Sequence, residues 1–406
     1  MILEIIIALL CGVISGTITG LAPGIHINLI ASFLILLSPS DSLALPVSIF
    51  IIAMSMTHVC IDFIPSIFLG VPEEDTFLSI LPGHEMLQEG RGQEAIALTS
   101  LGALSSIPII LFLSPLYLMF LPSVYESLEN LLPYILITLS FYLVFRENDF
   151  IKSSLVFILS GVLGYLSFNL PNSDPLFPLL TGLFGLSSLF VSLRNSSPPV
   201  KQSQILFKAS IIPKKDAIRA FFAGLLSIPL FSFLPGTGSS HAATFGSEIL
   251  SQSRKGFLFL TGMVSSSVMA LSFITVIAIN KSRSGTALAV NHLISDPIDH
   301  LLPILATIIL ALAFSALIAF YLSKKFSRLI NKVNYKALTL VIIYILIIIN
   351  INIAFLIYSN ILFSLIHLLI LFTSTSLGVF CILSNTRRIQ LMGALILPTI
   401  LFYLSH

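Results

Sequence analysis

The stretch SFLPGTGSSHAATFGSEI, residues 232–249, breaks an apolar run with a Pro-Gly pair, small polar residues and a histidine. A second Pro-Gly pair followed by a histidine lies in TGLAPGIHINLIASF, residues 19–33. Proline has no backbone N–H to donate and glycine tolerates positive φ, so each pair marks a turn. The surroundings of both turns are oily. Of the 406 residues 56% are hydrophobic and 9% are charged, and mean hydropathy is +1.04. A soluble domain carries about 25% charged residues, so this chain lacks the surface needed to face water. Apolar runs of roughly 18–25 residues, the length of a transmembrane helix, recur from end to end. The sequence predicts an all-α polytopic membrane protein of about 10–12 membrane segments.

Composition excludes several classes. The net charge of +2 contains no basic block that would suit a nucleic acid. Cys11, Cys60 and Cys381 all lie in apolar runs, with neither metal-ligand spacing nor a disulfide framework. The first run, ILEIIIALLCGVISGTITG, carries Glu4 and lacks a basic start, so it is expected to belong to the mature protein.

The longest polar stretch begins at Arg194 and divides the chain near its middle. Before it come a broken segment (2–38), a helix (43–62), an interrupted polar stretch (63–83) and helices near 94–121, 131–145, 152–169 and 176–193. After it the same series returns: 215–250 broken, 257–279 helical, 280–298 interrupted, then helices near 299–323, 337–357, 361–384 and 389–405. Pro23-Gly24 and Pro235-Gly236 fall at matching places, so residues 1–193 and 215–406 read as two copies of one unit joined by a linker, 194–214.

Lys and Arg favour the cytoplasmic side. The linker, Arg254-Lys255, the loop KKFSRLINKVNYK (324–336) and NTRR (385–388) are therefore placed inside. Counting crossings outward from the linker also puts RENDFIK (146–152) and HEMLQEGRGQE (84–94) inside, and 122–130 and both termini outside. Matched loops then fall on opposite sides, so the repeats are inverted. The count requires each Pro-Gly segment to be a re-entrant hairpin. A span running from 2 to 38 is too long for one straight crossing at about 1.5 Å per residue, which supports that reading.

A helix starting after a turn aims unpaired N–H groups and partial positive charge at its surroundings. Within a membrane such a break is tolerated where protein or a water-filled cavity receives it. Pro23, Gly24, Ile25, His26 and Asn28 from one turn, with Pro235, Gly236, Thr237, Gly238, Ser239, Ser240 and His241 from the other, form a candidate anion-binding pair. The alternative is two simple helix breaks whose polar groups cap helices.

His58 and Asp62 lie four residues apart on one helix face, in apolar context. Intramembrane ionisable residues are functional candidates; a buried His–Asp hydrogen bond is the plainer reading. GVPEED (70–75) is another break, and its Glu73 joins His58 and Asp62 as a candidate for carrying a coupling ion or proton. LPGHEMLQEGRGQEA (81–95) reads as a cytoplasmic loop. In the second half, FITVIAINKSRSGTALAVNHLISDP (273–297) places Lys281 and Arg283 on the outer side, against the positive-inside tendency, so another force must hold them there. Arg283, suited to bidentate anion recognition, forms an anion-facing set with Ser282, Ser284 and Thr286. A headgroup-level pair, or a partner for Asp296 and Asp299, is the alternative. The sequence contains neither HExxH nor GxSxG, no metal set and no cofactor motif, so no enzyme is expected.

The runs GVISGTITGLAPGIHINL and IPSIFLGVPEEDTFLSILPGHEMLQEGRGQEAI resemble the TctA family, the large permease subunits of tripartite tricarboxylate transporters, and most closely its shorter archaeal branch. Gly83, Met86, Gly90 and Arg91 fit the family's acidic segment, whereas Glu73 stands where a glycine often sits and His84-Glu85 departs from the usual wording. PGTGSSHAA and KSRSGTALA also resemble the archaeal branch. The resemblance implies uptake of a carboxylate such as citrate, driven by an ion gradient, with a small membrane subunit and an extracytoplasmic binding protein as partners. The expected function is a secondary active transporter of an organic anion, alternating in access and coupled to H⁺ or Na⁺, in the cell membrane. Paired re-entrant tips also resemble polyprenyl-phosphate translocases; in that alternative the anion is a lipid phosphate whose tail stays in the surrounding lipid.

Overall fold

The computed structural model describes residues 2–22, 27, 41–70, 77–170, 175–194, 200–281, 284–294, 297–329, 335–357 and 361–405. These residues are mostly helical with no strand among them, and ten helical stretches are long and apolar enough to cross a membrane. The protein is an all-α, multi-pass membrane protein. One stretch, Gly92–Phe145, runs unbroken through a 3₁₀ turn at Glu129–Leu131. At 1.5 Å per residue it is about 81 Å long, enough for two crossings of a core about 30 Å thick.

The first half contains α1 (Ile2–Leu21), α2 (Asp41–Ile61), α3 (Phe63–Leu69), α4 (Phe77–Gln88), α5 (Gly92–Leu128), α6 (Leu132–Phe145) and α7 (Phe150–Phe168). Next come α8 (Leu176–Leu180), a π-helical turn (Thr181–Leu186) and α9 (Ser187–Arg194). The second half contains α10 (Lys214–Phe231), α11 (Ser239–Ile249), α12 (Arg254–Ile279), α13 (Gly285–Leu293), α14 (Leu301–Leu329), α15 (Tyr335–Ile357), α16 (Ile361–Leu383) and α17 (Gly393–Ser405).

Three sequence expectations change. The interruption expected at 63–83 begins later, because the buried apolar run FIPSIFL carries the helix on to Leu69, where Gly70 ends it at φ 67. The loop expected at 81–95 is the end of α4, a tight turn and the start of α5. Glu85, Gln88 and Glu89 reach solvent, while Met86 and Leu87 are buried. The linker is docked: Ser203 N–H donates to Gly90 O at 2.7 Å, and Gln202 links Gly92 N–H and Leu87 O.

The extensive helix interfaces fall into two bundles. Helices α1–α5 pack with α10–α14, and α6–α9 pack with α15–α17. In the first bundle α5 crosses α12 where an ideal Cβ on Gly102 would stand 2.0 Å from the Phe259 carbonyl oxygen, and one on Gly262 2.1 Å from that of Thr99. Small residues let helix backbones approach this closely in lipid, where the hydrophobic effect does not drive helices together. The same device, Gly12-Gly16-Gly20, seats α1 on α2.

Ion pairs gather segments that the charge count places on one side. Arg254 meets Glu89 at 2.7 Å and Glu85 at 3.4 Å, Lys255 meets Glu94 at 2.7 Å, and Arg387 meets Glu147 at 2.6 Å. At the opposite end of α5 and α12, Lys281 pairs with Glu129 and sits 4.8 Å from the centre of the Tyr125 ring. This supplies the force that the sequence left open for a cation that the charge count places outside.

Candidate functional site

The stretch 232–249 forms the second arm and tip of a hairpin. Arg219 Nη2 donates to Ser251 Oγ at 2.8 Å and Ser253 Oγ to Asp216 at 2.6 Å, so the start of α10 and the end of α11 close at one base. Eleven residues of α11 rise about 16 Å, roughly half of a 30 Å hydrocarbon core. Its first residue, Ser239, places Oγ 3.1 Å from Ser265 Oγ, which lies about as far along α12.

The tip itself is tightly specified. Pro229 lies in the last turn of α10, which runs on to Phe231; Tyr117 on α5 donates to the Pro229 carbonyl at 2.8 Å and stands 2.5 Å from Ser232 Oγ. Thr237 Oγ1 donates to Leu234 O at 2.9 Å, closing the turn. Gly236 takes φ 71, and an ideal Cβ there would lie 2.8 Å from Thr399 Oγ1 on α17 and 3.3 Å from Leu395 O. The tip is therefore walled by α5, α12 and α17.

His241 N–H donates to Gly238 O and Gly238 N–H donates back to His241 Nδ1, both at 3.1 Å. Because Nδ1 accepts, the neutral ring carries its proton on Nε2. The imidazole stacks on the buried Phe231 with centroids 6.3 Å apart. Thus His241 caps the helix it opens. Thr237, Ser239, Ser240 and His241 are all at most 4% exposed, whereas Pro235 and Gly236 are half-buried. The N-terminus of α11 is a protein-enclosed set of backbone donors and hydroxyls, chemistry suited to an anion.

Pro23, Gly24, Ile25, His26 and Asn28 lie outside the described residues, as do Glu73, Ser282 and Arg283. Ser284 caps α13, accepting from Ala287 N–H at 3.2 Å, and sits 3.0 Å from Ser272 Oγ on α12. Thr286 donates to Ser284 Oγ at 3.3 Å. His58 Nδ1 lies 3.0 Å from Thr19 Oγ1 on α1, which ties it to the helix leading to the first Pro-Gly pair. Asp62 sits between α2 and α3, 3% exposed, its carbonyl accepting from the Ser66 N–H and hydroxyl.

Tyr117, Ser265 and Thr399 were missed from sequence. Only the triplet Ser265-Ser266-Ser267, in the middle of an apolar helix, carried a signal. The hydroxyls of Ser266 and Ser267 are buried with no hydrogen-bond partner among the described residues, as is Thr57 Oγ1 on α2.

Outside the spans, burial holds the His84 imidazole below its usual 6.5, partly opposed by an Ile67 carbonyl 3.4 Å from Nδ1. Hydrogen bonding to Arg254 holds the Glu89 carboxyl below its ordinary range. For His84 the unfolded chain takes up the proton first as pH falls. Stability present above 6.5 is therefore lost as pH drops towards the lower folded value. His84→Gln is expected to flatten the fall in unfolding temperature in detergent between about pH 7 and 5.5; equal slopes for the two proteins contradict this.

The family model described as Tripartite tricarboxylate transporter TctA family matches residues 6–393. An uncharacterized protein of Methanocaldococcus jannaschii is 33% identical over 411 residues, spanning 98% of this chain and 98% of that protein. No solved structure matches.

Proposed function

Because the chain belongs to the tripartite tricarboxylate transporter TctA family, a transporter family and not an enzyme family, we propose that it moves a carboxylate across the cell membrane by alternating access, coupled to H⁺ or Na⁺. The observation that carries the site is the buried α11 N-terminus, level with the middle of the long apolar helix α12, with Thr237, Ser239 and Ser240 beside Gly236. A carboxylate needs donors brought close to its oxygens, and the small residues of the tip allow that approach.

The two halves act as inverted repeats in this proposal. Their packing supports it: α5 lies on α12 as α14 lies on α2, and α13 touches α2 as α4 touches α12. In this proposal the central linker is cytoplasmic and both termini are outside; the pairing of Arg254-Lys255 with the α4–α5 turn supports placing those two segments on one side. The first tip and Arg283 complete the anion site, and His58, Asp62 and Glu73 are the candidates for coupling. A small membrane subunit and an extracytoplasmic binding protein are the partners that the family suggests.

Counterflow of labelled citrate and smaller carboxylates in proteoliposomes tests the proposal, run beside a polyprenyl-phosphate flipping assay. Carboxylate exchange that responds to an imposed Na⁺ or pH gradient is expected. Flipping of the lipid phosphate with no carboxylate exchanged would replace this proposal with the lipid-carrier one.

A further inference from the structure

Each half of the chain is divided between the two bundles. Helices α1–α5 and α10–α14 build the first, and α6–α9 with α15–α17 build the second. Glu129–Leu131 joins α5 of the first to α6 of the second, while α9 and α10, and likewise α14 and α15, follow one another in the chain but belong to different bundles. Apart from the covalent junction at Glu129–Leu131, no extensive interface joins the bundles among the described residues.

Each bundle is internally tight. In the first, α5 and α12 are held together at one end by Glu94–Lys255 and at the other by Glu129–Lys281, with the glycine crossing between. In the second, an ideal Cβ on Gly164 of α7 would stand 1.9 Å from the Ala394 carbonyl oxygen of α17. Close-packed helices of this kind move as units and do not deform continuously.

The seam between bundles has a different character. At one end Glu248, in the last turn of α11, meets Arg146 at 3.5 Å, Arg387 at 3.8 Å and the Tyr142 hydroxyl. At the other, Tyr125 and Tyr403 hydroxyls stand 3.2 Å apart. Between them the Gly236 tip rests against Thr399 and Leu395. The two arginines stay 55% and 41% exposed although Glu248 is only 11% exposed. Ion pairs open to water on one side are weak enough, towards the roughly 0–1 kcal/mol of surface pairs, to break and re-form in a transport cycle. A single helix, α11, carries the tip at its start and the seam's carboxylate at its end.

We propose that transport proceeds by displacement of the first bundle, carrying the Pro235-Gly236 tip, along the second, whose helix α17 forms the wall facing that tip. The inference rests on the transport function proposed above. It makes Thr399 and Leu395 part of the site in one state of the cycle, and it makes the Glu248–Arg146–Arg387 cluster a latch for that state. Motion within the α5–α12 pair has no part in it.

Two cysteine pairs, placed in a Cys11→Ser, Cys60→Ala, Cys381→Ala background, separate these roles. Glu248→Cys with Arg146→Cys spans the seam, and Glu94→Cys with Lys255→Cys lies within the first bundle. Each pair is bridged by a short bis-methanethiosulfonate reagent, and carboxylate counterflow is compared before and after bridging. Bridging the seam is expected to slow exchange at least about tenfold and reduction to restore it, while the bridge within the bundle changes the rate less than about twofold. Continued exchange across a bridged seam, or equal loss from both bridges, overturns the inference. A cysteine-free parent that exchanges no carboxylate fails the transport proposal instead.

Discussion

Gly236→Ala is expected to lower carboxylate exchange by one to two orders of magnitude while the protein still folds. Two costs act together at this residue. Its φ of 71 lies where a side chain is disfavoured, and Ala in such a conformation destabilises by more than about 1 kcal/mol. The added Cβ would also lie 2.8 Å from Thr399 Oγ1 and 3.3 Å from the Leu395 carbonyl oxygen. Thr399 is β-branched and its hydroxyl already donates to Leu395 O at 2.7 Å, so it has little room to turn away. The tip must shift instead, and a displacement of about 1 Å at a binding constellation can cost on the order of a hundredfold in rate. Counterflow rates at saturating and limiting carboxylate measure the effect; wild-type exchange by Gly236→Ala removes this turn from the site.

The largest loss of stability is expected where α5 crosses α12. Gly102→Ala and Gly262→Ala each push a methyl group against a backbone carbonyl, at 2.0 and 2.1 Å in the unrelaxed geometry. Unlike a side-chain end, a carbonyl cannot swing aside without moving its helix. Overpacking costs typically about 1–3 kcal/mol per site, and in neighbouring sites the costs need not add. The double variant should therefore unfold several degrees below wild type when heated in detergent. Gly185→Ala is the comparison, since the nearest atom an added Cβ would meet is Leu346 Cδ1 at 3.9 Å. Equal unfolding temperatures for the crossing variant and Gly185→Ala contradict the close approach.

The membrane class and the position of the second hairpin were legible in the residues. Pro235-Gly236 announced its turn, and the basic residues at 254–255 and 385–388 predicted ends that the structure joins to Glu89, Glu94 and Glu147. His241 shows the limit of that reading. Its place after the turn suited either an anion or a cap, and only the structure shows the 3.1 Å return bond from Gly238 N–H by which its Nδ1 caps α11. The last helix, GALILPTILFYLS, carries no signal that Thr399 faces a tip more than 160 positions earlier in the chain. Likewise Lys281, a cation that the charge count places outside, is unexplained until Glu129 and Tyr125 are seen beside it.

The sequence by itself determined that this chain lives in lipid, roughly how many times it is long enough to cross, and that it breaks at Pro235-Gly236. Lipid offers no hydrogen bonds to a bare backbone, so spans must be long and apolar and every break leaves a mark. Only the tertiary structure decided which helices share a bundle and which of them walls the tip. Lipid tails are as apolar as the side chains, so a face turned to a neighbour reads like a face turned to lipid. Ile304 is fully buried and Leu302 is 79% exposed, and no hydrophobicity scale separates the two. What separates them is where small residues allow one backbone to approach another, which depends on both partners at once.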